Sequence, residues 1–341
     1  MPRELYAPAR EQVAFREFES EAPGPGQVRV RSLFGAAKHG TEMSIFKGYG
    51  SGRGSYDRDL RIFLPAGGRE PYPCPLGNMC VGEVAELGPG TTRLSLGDRV
   101  FSHGPFREEH CWPETVRRLP DGLPWQAAVC LDPADFALGA VRDGHVRLGD
   151  AVAVFGMGAI GLMVVQFALL AGAHPVIAVD PLGLRRSVAL ACGADAALDP
   201  AACDPGLEIG KLTGQRGADV CIDYSGHHSG LQGALRSAAY NGTVVAGAFP
   251  GPYAAGLDLG AEAHMNRPRL VFSRSNSDPN PDHPNWNHDR LIDEAWRRLA
   301  SGRLETEAVV QPVVPFDDLA GEYPKIATDP GANVKLGASF A

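Results

Sequence analysis

The sequence contains no Cys-x-x-Cys pair. Its seven cysteines, at 74, 80, 111, 130, 192, 203 and 221, stand apart and are odd in number. That excludes a paired disulfide framework and a four-cysteine structural zinc site, and makes a reducing cytoplasm the expected compartment. A basic excess is missing too. Lys and Arg number 32 against 40 Asp and Glu, a formal net charge of −8. Nucleic-acid and anionic-membrane partners both require clustered positive charge and are not expected. No internal repeat or low-complexity tract occurs, since the 42 glycines and 28 prolines are scattered without period. The start, Met-Pro-Arg-Glu-Leu-Tyr, lacks the basic-then-apolar pattern of a secretory signal. One stretch, 151–173, carries no charge and is long enough for a bilayer. A glycine cluster divides it internally and argues against a membrane span.

Apolar residues make up 44% of the chain, enough to fill packed cores. A length of 341 residues suggests two domains at roughly 150 residues each.

The clearest organisation begins inside that apolar stretch. Val152-Ala153-Val154-Phe155 has a strand pattern and Gly156-Met157-Gly158-Ala159-Ile160-Gly161 follows at once. Residues 162–171 are good helix formers ending before Gly172, and Pro175-Val176-Ile177-Ala178-Val179-Asp180 is a second strand pattern. The order strand, glycine turn, helix, strand, acid is the context that makes a G-x-G-x-x-G motif specific. Gly156 would allow the tight turn, Gly158 a close approach to a pyrophosphate, and Gly161 the packing of helix on strand. The N–H groups of Ala159 and Ile160 at the helix start would face the phosphates. Asp180 lies 24 positions after Gly156. A carboxylate there accepts both ribose hydroxyls and repels a 2′-phosphate, which favours NAD over NADP. Arg185 or Arg186 nearby is the opposing signal, since an arginine can hold that phosphate.

Two further strand patterns, Ala218 to Asp223 and Gly242 to Gly247, flank a helix expected over 231–239. In a doubly wound sheet ligands lie outside the carboxyl ends of the strands. Ser225, Gly226, His227, Gly247 and Phe249 would then line the nicotinamide end. The remainder differs in texture. Residues 1–136 hold many short alternating runs broken by Gly and Pro, such as Gln27-Val28-Arg29-Val30-Arg31, which suggests an antiparallel partial barrel. Residues 48–71 read as a long loop over a substrate cleft. An amphipathic helix is expected over 290–300, with late strands at 309–314 and 334–340 that rejoin the first domain. The domains are then 1–136 with 286–341, and 137–285.

At this point the chain resembles the medium-chain dehydrogenase/reductase superfamily, of the alcohol and sorbitol dehydrogenase type. The resemblance is carried by His39-Gly40-Thr41-Glu42, Leu76-Gly77-Asn78-Met79, Gly97-Asp98-Arg99-Val100, Leu131-Asp132-Pro133, the glycine turn with Asp180, and Val334-Lys335-Leu336. It implies an α/β fold: a GroES-like antiparallel β-barrel domain plus a Rossmann domain with a doubly wound parallel sheet. It also implies pairing through the Rossmann domain as a homodimer or homotetramer. Zinc-dependent members carry Cys-Gly-x-Asp, then Gly-His-Glu, then a Cys, Asp or Glu. Here the matching positions are His39, Asn78 followed by Met79, and Asp132. A neutral amide is a poor zinc ligand, so no metal is expected, with Cys80, His110 or Cys111 as the replacement ligands of a rebuilt site.

Without a metal, His39 is the candidate general base and Thr41 the proton relay. Asn78 would donate to the developing oxyanion and Asp132 would orient His39. Glu262, His264 and Asn266 would share one face if their stretch is a strand; the alternative is a solvated edge or subunit contact. The expected activity is an NAD-dependent dehydrogenase acting on a secondary alcohol of a polyol, sugar or cyclitol. A zinc-free NADPH-type quinone or enoyl reductase is an alternative. So is a lyase, epimerase or binding protein that retains NAD.

Overall fold

The computed structural model describes residues 1–48, 54–64, 71–274 and 285–340. The chain forms two compact units, Met1–Val129 with Gln311–Ala341, and Cys130–Val310.

The first unit is built on short strands. They are β1 (Arg3–Ala7), β2 (Ala14–Glu17), β3 (Gln27–Ala36), β4 (Ser55–Asp57), β5 (Ile62–Leu64), β6 (Cys74–Pro75), β7 (Met79–Leu87), β8 (Arg99–His103), β9 (Glu109–Pro113) and β10 (Arg117–Arg118). Helix α1 (His39–Phe46) follows β3, and α2 (Trp125–Val129) ends the stretch. β3 shows why the alternation mattered: Val28, Val30 and Ser32 are buried, while Arg31 is exposed and Arg29 pairs with Glu86. The strand takes β7 antiparallel along one side and β9 along the other at residues 27–31. Residues 48–71 were expected to be a loop. In the described part, 54–64, the backbone instead forms the hairpin β4–β5, with Tyr56 packed edge-on against Phe63. Residues 49–53 and 65–70 lie outside the described residues.

The second unit begins with α3 (Leu131–Asp143) and continues β11 (Val152–Phe155), α4 (Ala159–Leu170), β12 (Val176–Val179), α5 (Gly183–Ala191), β13 (Ala196–Leu198), α6 (Pro205–Leu212) and β14 (Ala218–Asp223). α7 (His228–Ser237), β15 (Ala238–Ala246), α8 (Glu262–Asn266), β16 (Arg269–Phe272) and α9 (His288–Ala300) complete it. All six strands run parallel in the order β13-β12-β11-β14-β15-β16, a doubly wound sheet. Every residue of β11 and β12 is buried, as helices on both faces require. The stretch 151–173 resolves into β11, the turn and twelve-residue α4. Among the described residues no helix is long and apolar enough to cross a membrane.

The unit borders fall at 129/130 and 310/311 instead of 136/137 and 285/286. The reason is helix packing. α3 lies against both α4 and α9, with Leu291 of α9 facing Gly139, so 130–136 and 286–310 go with the second unit. The stretch with Glu262, His264 and Asn266 is helix α8, not a strand. Glu, Ala and Met favour a helix and no β-branched residue opposes it. The three side chains therefore do not form one face: Glu262 pairs with Arg236, Asn266 donates to Ala238 O, and His264 is exposed.

The late strands β17 (Val313–Pro315) and β18 (Gly337–Ser339) return to the first unit. β18 pairs antiparallel with β3 at 34–36 and parallel with β17. Leu5, Leu76, Phe106, Phe316, Tyr323 and Leu336 close a core around Met43 and Phe46 of α1. Within it the Tyr323 hydroxyl donates to the buried Glu42 Oε2 at 2.6 Å. Burial raises the Glu42 carboxyl, and the Tyr323 hydrogen bond opposes that rise. Tyr323→Phe should therefore destabilise the fold by roughly 1–3 kcal/mol, the cost of leaving a buried acceptor unmade. Urea denaturation of the two forms reads the difference.

Candidate active site

The glycine turn sits between β11 and α4. Gly156 has φ +91°, and a Cβ there would lie 2.5 Å from the Ser225 nitrogen. At Gly161 a Cβ would meet the Gly156 carbonyl oxygen at 1.9 Å. No larger residue fits either position. Gly158 caps α4, and a Cβ added to it would meet no atom within 4 Å. α4 has no side-chain cap, so the first-turn N–H groups around Ala159 and Ile160 are left without intrahelical acceptors.

Asp180 follows β12 and is 3% exposed. Its Oδ2 accepts from the Met157 N–H at 2.7 Å and its Oδ1 from the Leu182 N–H at 2.8 Å. The carboxylate thus holds the turn itself and keeps lone pairs for a further donor. Arg186 donates to Asp180 O at 2.8 Å and pairs with Asp199 at 2.9 Å. Arg185 is half-buried, its guanidinium drawn below its ordinary range by burial and supported by Asp180.

The carboxyl ends of the other strands carry the remaining expected residues. The Ser225 N–H donates to Asp223 Oδ1 at 2.9 Å, and Gly226 has φ +69°. His227 caps α7, and its Nδ1 lies 2.8 Å from Ser229 Oγ. The Gly247 N–H donates to Asp223 O at 3.0 Å, and a Cβ at 247 would overlap the Tyr224 ring. Phe249 is 73% exposed.

His39, Thr41 and Asn78 belong to the first unit and Asp132 to the second. His39 opens α1, and its Nε2 accepts from the Leu336 N–H at 2.9 Å. This occupies the lone pair that base catalysis needs and makes Nδ1 the protonated nitrogen. In this arrangement the Nε2 lone pair expected to take a proton is engaged by the chain itself. Thr41 is exposed on α1. The Asn78 Nδ2 is buried with no hydrogen-bond partner among the described residues. Asp132 is buried in the first turn of α3.

A zinc ion does not fit these donors. Asn78 offers a neutral amide and His39 Nε2 is taken. Cys80 is buried with its Sγ 3.1 Å from Pro105 O, and burial pushes its thiol far up. His110 stacks on Trp112 in the core, where burial lowers it to about 3, while the adjacent Cys111 is exposed on the other face of β9. Among the described residues no three His, Cys, Asp or Glu side chains gather as a metal site.

One pairing escaped the sequence reading. His288 Nε2, at the start of α9, lies 3.1 Å from Asp135 Oδ2 on α3. The pair of acids at 132 and 135, one turn apart at an apolar helix start, was the available signal. Nothing in the sequence joins it to a histidine 153 positions on.

Comparison with known proteins supplies the family. Residues 24–120 match the alcohol dehydrogenase GroES-like domain, and residues 159–280 match the zinc-binding dehydrogenase domain. The chain belongs to the medium-chain, zinc-binding alcohol dehydrogenase family and is an oxidoreductase that works with a nicotinamide cofactor. D-guloside 3-dehydrogenase of Escherichia coli K12 is 40% identical over 352 aligned positions, covering 99% of this chain and 100% of that one. A dehydrogenase structure from Sinorhizobium meliloti bound to NADP shares the fold at 21% identity and TM-score 0.77, over 99% of each chain. So does an alcohol dehydrogenase structure from E. coli CFT073 complexed with NADH, at 20% identity and TM-score 0.74, over 99% of each.

Asp223 adds a pH dependence. It is 1% exposed, and burial pushes its carboxyl from 3.8 up to about 6. The folded state then holds this proton to higher pH than the unfolded chain does. The resulting stabilisation is full below about pH 4 and is lost as pH rises to about 6, a change of about 3 kcal/mol. Asp223→Asn keeps an acceptor for Ser225 and does not ionise. Its stability relative to the natural protein should rise by about that amount between pH 4 and pH 7, as read by denaturation at each pH.

Proposed function

We propose that this protein is an NAD-dependent dehydrogenase of a secondary alcohol on a sugar or glycoside, working without catalytic zinc. The observation that carries the substrate class is the whole-length likeness to D-guloside 3-dehydrogenase. The preference for NAD rests on Asp180, a buried carboxylate at the end of the second strand, and on Arg186, already engaged with Asp199. When bound, the cofactor supplies a nicotinamide C4 that exchanges hydride with the carbinol carbon.

The chain's own groups do the rest. Gly156, Gly158, Gly161 and the N–H groups at Ala159 and Ile160 would hold the pyrophosphate, and Asp180 the ribose. Ser225 and Gly247 would border the rest of the dinucleotide at the strand ends, with Arg185 beside Asp180. Leaving the Asn78 amide unmade costs roughly 1–3 kcal/mol, which a hydrogen bond to the substrate oxygen would recover. The protonated Nδ1 of His39 is a second donor for that oxygen, and the exposed Thr41 hydroxyl suits a proton relay. Asp132 would bind substrate hydroxyls. The seven free thiols fit a reducing cytoplasm.

The test is oxidation of a panel of glycosides and polyols, a D-guloside among them, by purified protein of measured metal content. Turnover is expected with less than about 0.1 zinc per chain, with no loss after chelation, and with kcat/KM for NAD at least about 100-fold above NADP. One zinc per chain, lost together with activity on chelation, would sink the metal-free reading.

We also propose a homodimer or homotetramer formed through the second unit. β16 ends the parallel sheet and exposes Leu270 and Phe272, the latter 75% exposed. An apolar edge strand is a template for pairing with another copy. Leu270→Arg should lower the mass found by light scattering towards that of a single chain; an unchanged mass would remove β16 from the interface.

A further inference from the structure

A cavity of about 530 Å³ lies wholly within the second unit, against the last turns of α3 and α4 and helix α9. That volume is within the range of roughly 300–1,000 Å³ typical of small-molecule sites. Val146 and Arg147 in its wall lead into the amino end of β11, and Leu170 and Ala171 close α4. The glycine turn stands at the opposite end of both elements. The twelve residues of α4 put it about 18 Å away. In this type of sheet a dinucleotide binds outside the carboxyl ends of the strands, so the cavity is no part of that site.

The wall combines apolar side chains with unbalanced positive charge. Leu138, Val141 and Phe167 supply apolar surface, while Arg142, Arg147 and Arg298 supply three cations against one acid, Glu294. That acid is already taken. Its Oε1 accepts from Arg298 Nε at 2.6 Å, and its Oε2 pairs with Arg297. Among the described residues Arg142 and Arg147 form no ion pair, and the buried Arg142 Nε has no hydrogen-bond partner. Arg142 instead lies over the Trp286 ring, 3.5 Å from its centroid, and Arg290 lies over the same ring at 4.3 Å. Burial and the nearby Arg290 draw the Arg142 guanidinium below its ordinary range, with Asp143 opposing. Two cations held on one indole repel each other, and an anion beside them would relieve that repulsion. Arg147 is exposed, so a ligand can reach it.

The geometry points to a binding site here for a small organic anion, a phosphate monoester with an apolar body. Near neutral pH such a phosphate carries close to two negative charges, the number that Arg142 and Arg147 leave uncompensated. Its oxygens also accept in pairs from a planar guanidinium. The apolar body lies on Leu138, Val141 and Phe167, surface that inorganic phosphate would leave in contact with water. The site goes beyond the dehydrogenase reading and does not depend on it.

The experiment is calorimetric titration of the full chain with naphthyl phosphate, in saturating NADH so that the dinucleotide site is filled. One molecule per chain is expected to bind, at least about tenfold more tightly than inorganic phosphate because the naphthyl ring leaves water. Arg147→Glu and Arg142→Gln should each weaken naphthyl phosphate at least about tenfold and leave the NADH Kd within about threefold. Arg147 is exposed, so its replacement tests the site even where Arg142→Gln fails to fold. Arg10→Glu makes the same charge change on the exposed surface of the first unit and should shift binding by less than about threefold. Four results overturn the inference and leave the dehydrogenase reading standing. They are no binding in the presence of NADH, equal affinity for inorganic phosphate, binding untouched by Arg147→Glu, and equal weakening by Arg10→Glu. If NADH itself does not bind, the cofactor reading fails, while the same variants still test the cavity.

Discussion

A Cβ on Gly161 would sit 1.9 Å from the Gly156 carbonyl oxygen, and that closeness organises the second unit. Because α4 presses its first turn onto the loop it springs from, β11 can pass directly into a helix whose N–H groups point outward. Asp180 locks the same turn from β12 by accepting from Met157, and Ser225 packs on Gly156 from the end of β14. Three strand ends thus converge on one loop, and the cradle depends on all of them. Most polar hydrogen bonds here are to backbone groups. The shape is therefore set before any ligand arrives, which limits the ordering that binding must impose.

In the first unit α1 and its approach are tied to the end of the chain by three sheltered hydrogen bonds. His39 accepts from Leu336, Glu42 accepts from Tyr323, and the buried Lys335 donates to Ala37 O at 2.6 Å. All three join α1 and its approach to the last segment of the chain, which returns to complete the sheet on β3. Each is costly to break because its partner would be left buried and unmet. The Asn78 amide is the group left outside this network.

The glycine turn, the sheet strands and the late return to the first unit were all legible, because each writes a local pattern. Alternation in β3, the apolar runs of β11, β12 and β14, and glycines at 156, 158 and 161 each have one simple backbone solution. The misreadings came where short-range signals compete. The stretch at 262–266 alternates polar and apolar residues, yet it is a helix whose Glu262 is drawn to Arg236. The stretch after 48 has few periodic residues, yet it contains a hairpin closed by Tyr56 and Phe63. The unit borders moved because α3 and α9 are held by each other and not by their neighbours in the chain.

The site divides along the same line. Residue types and spacings were enough for the family and for the strand–glycine turn–helix unit, since those depend on adjacent residues with fixed backbone demands. Which nitrogen of His39 keeps a lone pair, and which acid meets His288, depends on contacts across 297 and 153 positions. A hydrogen bond is decided by distances of a few tenths of an ångström. No local pattern encodes such distances; they exist only once the sheets and helices have packed.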